Sequence, residues 1–116
     1  MDPFIYDGTY QCGTIVIFSP SKQGGWIELD DPEVRKEIYN WRTELVAQGL
    51  EKKAGEDVLF HITDVIFPRG NGSSKKFFLN KGDRVRCCVR VHRGQPESRR
   101  QRIVGDPVEI VARATS

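Results

Sequence analysis

The stretch from residue 84 to residue 92 constrains the fold more than any other, because polar and apolar residues alternate along it. A period of two places successive side chains on opposite faces of a β-strand. The apolar face would carry Val85, Cys87, Val89 and Val91. The other face would carry Arg84, Arg86, Cys88, Arg90 and His92. The pattern therefore predicts a strand with one buried and one solvated face.

Four further short stretches are rich in β-branched and aromatic residues, which is typical of strands. They cover residues 13–18, 25–29, 58–62 and 108–112. Five short strands separated by turn residues indicate an all-β barrel. The strand pattern alone fits another small barrel or an incomplete sandwich equally well.

An amphipathic α-helix is predicted over about residues 32–48, between the second and third strands. Asp30-Asp31-Pro32-Glu33 has the acidic cap, first-turn proline and first-turn acid of a helix start. Apolar residues follow at spacings of four, three and four, namely Val34, Ile38, Trp41 and Leu45. Gly49 suits a left-handed cap at the helix end. We expect Ile38 and Trp41 to pack on the barrel.

With 116 residues, of which 38% are apolar, the chain suits a single domain over residues 1–116 with one core. The helix lies within an insertion over residues 30–56. No apolar run approaches the length that spans a membrane. The chain has three cysteines, and the neighbours Cys87 and Cys88 would point to opposite faces of a strand. Cys12 could pair with either one, but free thiols in a reducing compartment are favoured, which predicts an intracellular protein, cytoplasmic or nuclear.

The formal net charge of +2 hides a strong asymmetry along the chain. Residues 1–64 carry 6 Lys/Arg against 12 Asp/Glu, whereas residues 65–104 carry 11 against 2. A basic region of this kind favours an acidic partner, and nucleic acid is the obvious candidate.

Several segments resemble the signatures of the cold-shock domain family. Gly13-Thr14-Ile15 followed by Lys22-x-x-Gly25-Trp26-Ile27 is similar to the family's Gly-Thr-Val strand and its Lys-Gly-aromatic-Gly-aromatic-Ile motif. Residues 57–62, Asp-Val-Leu-Phe-His-Ile, resemble its Asp-Val-Phe-Val-His segment. The turn at residues 81–83 and the closing Gly-x-Pro-Val at 105–108 follow in the family's order. The resemblance implies a five-stranded OB-fold-type cold-shock barrel, with the helix inserted between strands 2 and 3.

The resemblance also implies a binding face, because cold-shock domains stack the bases of a single strand on aromatic side chains of strands 1–3. Trp26 and His61 stand at stacking positions, whereas Gly24, Ile17 and Leu59 replace aromatic residues there. The hypothesis is a module that binds single-stranded RNA more than DNA in RNA metabolism, through residual stacking and basic loops. Its predicted contact residues are Lys22, Trp26, Leu59, His61, Lys75, Lys76, Arg99, Arg100 and Arg102.

The alternative is a protein-interaction module that uses the altered face and the inserted helix, since interfaces often expose aliphatic side chains beside a Trp. Its predicted contact residues are Ile17, Tyr39, Trp41 and Val46. We expect no enzyme activity, metal or cofactor, and no membrane partner. The cysteines and the two histidines lack the spacing of zinc ligands.

Overall fold

The computed structural model describes residues 4–66, 79–93 and 101–114. Their regular structure consists of strands and one α-helix. In chain order the elements are β1 (Thr9–Ser19), β2 (Gly24–Leu29), α1 (Pro32–Ala47), β3 (Val58–His61), β4 (Val65–Ile66), β5 (Arg84–Arg93) and β6 (Gln101–Ala112). A 3₁₀ turn, Ile62–Asp64, joins β3 to β4.

Five strands close into a barrel in the order β3-β2-β1-β5-β6. Neighbours along this order pair antiparallel, and β6 returns to β3 through a parallel pairing of Leu59 with Val104. The short β4 adds to β6 in parallel, with Val65 opposite Val108. The closed barrel with one helix confirms the coarse fold class that the strand and helix patterns predict.

The barrel interior is filled by apolar side chains from all five strands. Those almost completely buried include Ile15, Ile27, Val58, Phe60, Val85, Val89, Ile103 and Val108. Phe18 packs against this core, with its ring centroid 6.2 Å from that of Phe60 and the two planes 14° apart. Burial of this apolar surface is the main term that stabilises the barrel.

The helix begins and ends where the sequence predicts. The Asp31 side chain accepts a 2.9 Å hydrogen bond from the Glu33 backbone N–H, and Pro32 is the first helical residue. At the other end Gly49 adopts a φ of 75°, which glycine tolerates without strain. All four predicted stripe residues are buried, with Trp41 retaining 9% exposure.

The burial of Trp41 corrects its assignment to a protein interface. Its ring centroid lies 6.0 Å from that of Phe4, which is itself buried and lies 6.0 Å from the ring of Tyr6. The N-terminal segment therefore docks over this part of the helix. Packing of the stripe on the barrel, with Trp41 inside, is the arrangement observed.

Two strands extend beyond their predicted ends because β5 is long enough to pair with both. β1 begins at Thr9 instead of residue 13, since Thr9 pairs with Val89. β6 begins at Gln101 instead of residue 108, because it follows β5 from Arg93 to Arg84. Pairing partners distant in sequence set these ends, so local composition did not mark them.

The strict alternation predicted for residues 84–92 breaks at Cys88, which is buried with 1% exposure although it was assigned to the solvated face. The register of β5 with β6 shifts between Cys87 and Val89. A bulge of this kind interrupts the two-residue period. All three cysteines are free, with Cys12 exposed, as the thiol interpretation predicts. Within the described residues, no helix is long and apolar enough to cross a membrane.

Candidate functional site

A row of four outward-facing apolar side chains crosses three neighbouring strands and reaches a fourth. Ile17 of β1 lies opposite Trp26 of β2, Trp26 lies opposite Leu59 of β3, and Leu59 pairs with Val104 of β6. We call these four residues the apolar row. Ile17 is 58% exposed and Trp26 is 39% exposed, while Leu59 and Val104 are half-buried. A register shift in β1 after Ile15 turns Ile17 outward.

Three basic or titratable side chains flank the apolar row. Lys22 lies in the turn before β2, His61 lies two residues after Leu59, and Arg102 lies two residues before Val104. All three are exposed. Together with Ile17, Trp26 and Leu59 they line a cavity of about 520 Å³, which we call the strand-side groove. The structure thus brings five of the nine predicted nucleic-acid contacts to one surface.

The remaining four predicted contacts, Lys75, Lys76, Arg99 and Arg100, lie outside the described residues. Of the arginines on β5, two are already paired. Arg84 forms an ion pair with Asp30, and the hydrogen bond from Arg84 lowers the pKa of the Asp30 carboxyl. The Arg86 guanidinium lies 3.2 Å from a carboxylate oxygen of Glu109. Arg102 belongs to the basic region, residues 65–104, and lines the strand-side groove.

The His61 ring is held in place by a local contact. Its Nδ1 accepts a hydrogen bond from the Thr63 backbone N–H at 3.2 Å, and the Thr63 hydroxyl lies 2.8 Å from the same nitrogen. In the neutral ring, Nε2 then carries the hydrogen and remains the donor for a ligand. These contacts fix the orientation of the His61 ring, so the Nε2 edge is available to a ligand in one orientation.

Close backbone contacts explain why an aromatic residue is missing at position 24. A Cβ atom on Gly24 would lie 2.7 Å from the Phe60 carbonyl oxygen, and one on Gly25 would lie 2.0 Å from that of Ile17. Both distances are far below normal contact, so β2 approaches its neighbours too closely here for any side chain.

Helix α1 contacts Trp26 through Arg42. The Arg42 guanidinium carbon lies 5.6 Å from the centroid of the Trp26 ring, and its Nη1 donates a 2.9 Å hydrogen bond to the Gly55 carbonyl. Arg42 is only 6% exposed. Burial lowers its pKa, while the charges of Glu51 and Asp57 act in the opposite direction.

Sequence analysis did not identify Arg42, because it is a charged residue outside the apolar stripe of the helix. The signal for its position was its spacing of four from Ile38, which places it on the same side of the helix. Val104 was missed because the predicted last strand began four residues later.

Arg42 belongs to a second cavity of about 570 Å³, which we call the helix-side groove. Its lining includes Trp26, Arg42, Glu51, Glu56, Asp57 and Arg102. Trp26, Leu59 and Arg102 line both grooves, so the two grooves adjoin at these three residues. Burial raises the pKa of Asp57, and repulsion from Glu28 and Glu56 adds to the effect.

Two residues proposed for a protein interface lie away from both grooves. Tyr39 is 49% exposed and Val46 is 37% exposed, both on the helix surface. Tyr39 borders a shallow depression beside Lys36 and Glu56. Of the four residues in that alternative, only Ile17 lies on the surface that carries Trp26.

The described residues contain no group of three His, Cys, Asp or Glu side chains able to hold a metal ion. In comparisons with known proteins, the chain matches no protein-family model and no curated protein at a significant level of similarity.

Proposed function

We propose that the chain is a single-strand nucleic-acid-binding module of the cold-shock, OB-fold type, which binds RNA in preference to DNA and acts in RNA metabolism. The observation that carries the proposal is the pairing of Ile17, Trp26 and Leu59 across three strands, with Trp26 exposed at the centre. A closed five-stranded barrel with its helix between β2 and β3 supports the cold-shock resemblance of the motifs.

In this proposal a base stacks on Trp26, and Ile17 and Leu59 contact its neighbours. Base–aromatic stacking contributes about 1–3 kcal/mol per base. With one large ring in the apolar row, the affinity depends more on phosphate contacts than it would on a face with several rings. Lys22 and Arg102 line the same groove as Trp26 and are the residues we expect to make those contacts. The site acts by binding, without a chemical step.

The experiment is a titration of labelled oligouridine and oligothymidine of about eight nucleotides at about 50 and 200 mM salt. We expect the RNA to bind more tightly, and the affinity to fall steeply as salt rises. Arg102→Ala should reduce the slope of log affinity against log salt by about one. Lys36→Ala removes an exposed cation away from the grooves and should leave the slope unchanged. Binding of neither strand at the lower salt would contradict the proposal.

The exposure of Ile17 favours one second candidate, a protein-interaction module on the same face. Its 58% exposed side chain is the most open member of the apolar row. A second copy of the chain is the partner that can be tested directly. Sedimentation of the wild type and of Ile17→Asp over a range of concentrations would support this candidate if only the wild type self-associates.

A further inference from the structure

The helix-side groove contains a buried cation without a carboxylate partner. Arg42 is only 6% exposed, yet within the described residues no carboxylate oxygen lies within 4.0 Å of its guanidinium. In the part of the chain that the structure describes, its side chain makes one hydrogen bond, to the Gly55 carbonyl. A guanidinium has five N–H donors, so most of those of Arg42 remain for a ligand.

The free donors of Arg42 have access to the groove. Among the described residues, two side-chain nitrogens are fully enclosed and lack a hydrogen-bond partner. They are Arg35 Nε and Trp41 Nε1. No Arg42 nitrogen is both enclosed and unpaired, and Arg42 lines the cavity of about 570 Å³. The donors that Gly55 does not use are therefore open to an acceptor group on a ligand.

The groove also offers acceptors and an aromatic surface. Glu51, Glu56 and Asp57 line it beside the cations Lys52, Lys53 and Arg102, so the groove presents both acceptors and donors to an occupant. Trp26 retains 39% exposure, so Arg42 covers part of the ring and leaves the rest for a flat group. The occupant that fits is flat and presents both donors and acceptors at its edges.

We propose that the helix-side groove binds one guanine base of the single strand, with Trp26 against its face, Arg42 donating to O6 and N7, and Asp57 accepting from N1–H and the 2-amino group. This inference rests on the proposed function and adds a base preference to it. Arginine donating to guanine O6 and N7 is a common specific contact, and bases of single-stranded RNA are read on both edges.

The other bases satisfy this set of groups less well. Adenine lacks the adjacent O6 and N7 acceptors for a guanidinium, and it offers a carboxylate one amino group without a ring N–H beside it. Uracil and cytosine are smaller and have no N7. A cavity of about 570 Å³ lies within the range of small-ligand pockets, so the larger purine can be accommodated.

The test compares oligouridines of about eight nucleotides in which a single central position is varied. We expect the strand with one guanosine to bind about 10-fold more tightly than the all-uridine strand, the scale of a good bidentate contact. Inosine at that position lacks the 2-amino group, and 7-deazaguanosine lacks N7. Each should bind about 5-fold more weakly than guanosine. These comparisons use the wild-type protein, so folding of a variant cannot confuse them.

Two substitutions assign the contacts. Asp57→Ala leaves no acceptor and should remove the difference between guanosine and inosine. Arg42→Met leaves no donor and should remove the difference between guanosine and 7-deazaguanosine. Lys36→Ala is the control, because Lys36 is an exposed cation outside both grooves and its loss should leave the guanosine preference unchanged. Circular dichroism checks that each variant is folded.

The possible failures are distinguishable. If no strand binds, both the proposed function and the proposed guanine pocket are wrong. If all strands bind with equal affinity, the proposed function stands and the guanine pocket is wrong. A guanosine preference that survives loss of both the 2-amino group and N7 would also contradict the pocket.

Discussion

The Arg42 guanidinium lies 5.6 Å from the centroid of the Trp26 ring, which joins the inserted helix to the outer face of the barrel. A cation over an aromatic ring is attracted by the ring's negative face. Arg42 follows Trp41, whose side chain is buried beneath the same helix. The helix is therefore anchored by Trp41 and lines the helix-side groove through Arg42.

Trp41 should contribute strongly to stability. We expect Trp41→Ala to lower the free energy of unfolding by about 3–5 kcal/mol, because a large buried aromatic leaves a cavity against Phe4 and the barrel. Tyr39→Ala, on the exposed side of the same helix, should change it by about 0.5 kcal/mol or less. Urea denaturation measures both. Equal, small losses in the two variants would contradict internal packing of Trp41.

The three thiols should differ in reactivity. Cys12 is exposed, whereas Cys87 and Cys88 have 0% and 1% exposure. Since the thiolate is the reactive form, a thiol reagent should modify Cys12 alone in the folded protein and all three after denaturation. Mass spectrometry of the modified peptides identifies the site. Rapid modification of Cys87 without unfolding would show that the barrel interior is open.

Stability should decline in alkaline solution because of Cys87. Burial raises the pKa of its thiol from 9.0 to about 12, so the folded protein holds this proton more tightly than the unfolded chain does. The contribution is fully present below pH 9 and is lost as pH rises toward 12. Cys87→Ser or Cys87→Ala removes this titration, and thermal melts across that pH range would show a shallower decline. An identical pH profile in the variants would contradict this origin.

Gly25 should tolerate no side chain. We expect Gly25→Ala to destabilise the protein by about 1–3 kcal/mol or more, because its Cβ atom would meet the Ile17 carbonyl oxygen at 2.0 Å. Gly55→Ala is the matched control, since its Cβ atom would meet an Arg42 nitrogen at 3.7 Å, an ordinary contact. Thermal melts compare the two. A Gly25→Ala protein as stable as the control would contradict the close approach of β1 and β2.

Local patterns predicted the features that depend on local interactions. The cap at Asp31, the left-handed Gly49 and the buried stripe of the helix all follow from spacing and backbone preference. These features involve residues within a turn or two of one another.

Features set by distant pairing were not predictable in this way. The start of β6 depends on its register with β5, and this register also brings Val104 beside Leu59. The burial of Arg42 depends on the Gly55 carbonyl, thirteen residues along the chain. Patterns of residues along the sequence carry no information about either contact. The helix-side groove could therefore not be predicted from the sequence.

The most direct test of the account is the affinity of wild type and Trp26→Ala for an oligouridine RNA of about eight nucleotides. Tyr39→Ala serves as the control, since it removes an exposed ring outside both grooves. Loss of stacking should weaken binding by about 1–3 kcal/mol in Trp26→Ala and leave Tyr39→Ala unchanged. Unchanged affinity in a folded Trp26→Ala protein would contradict the claim that the apolar row binds a single strand.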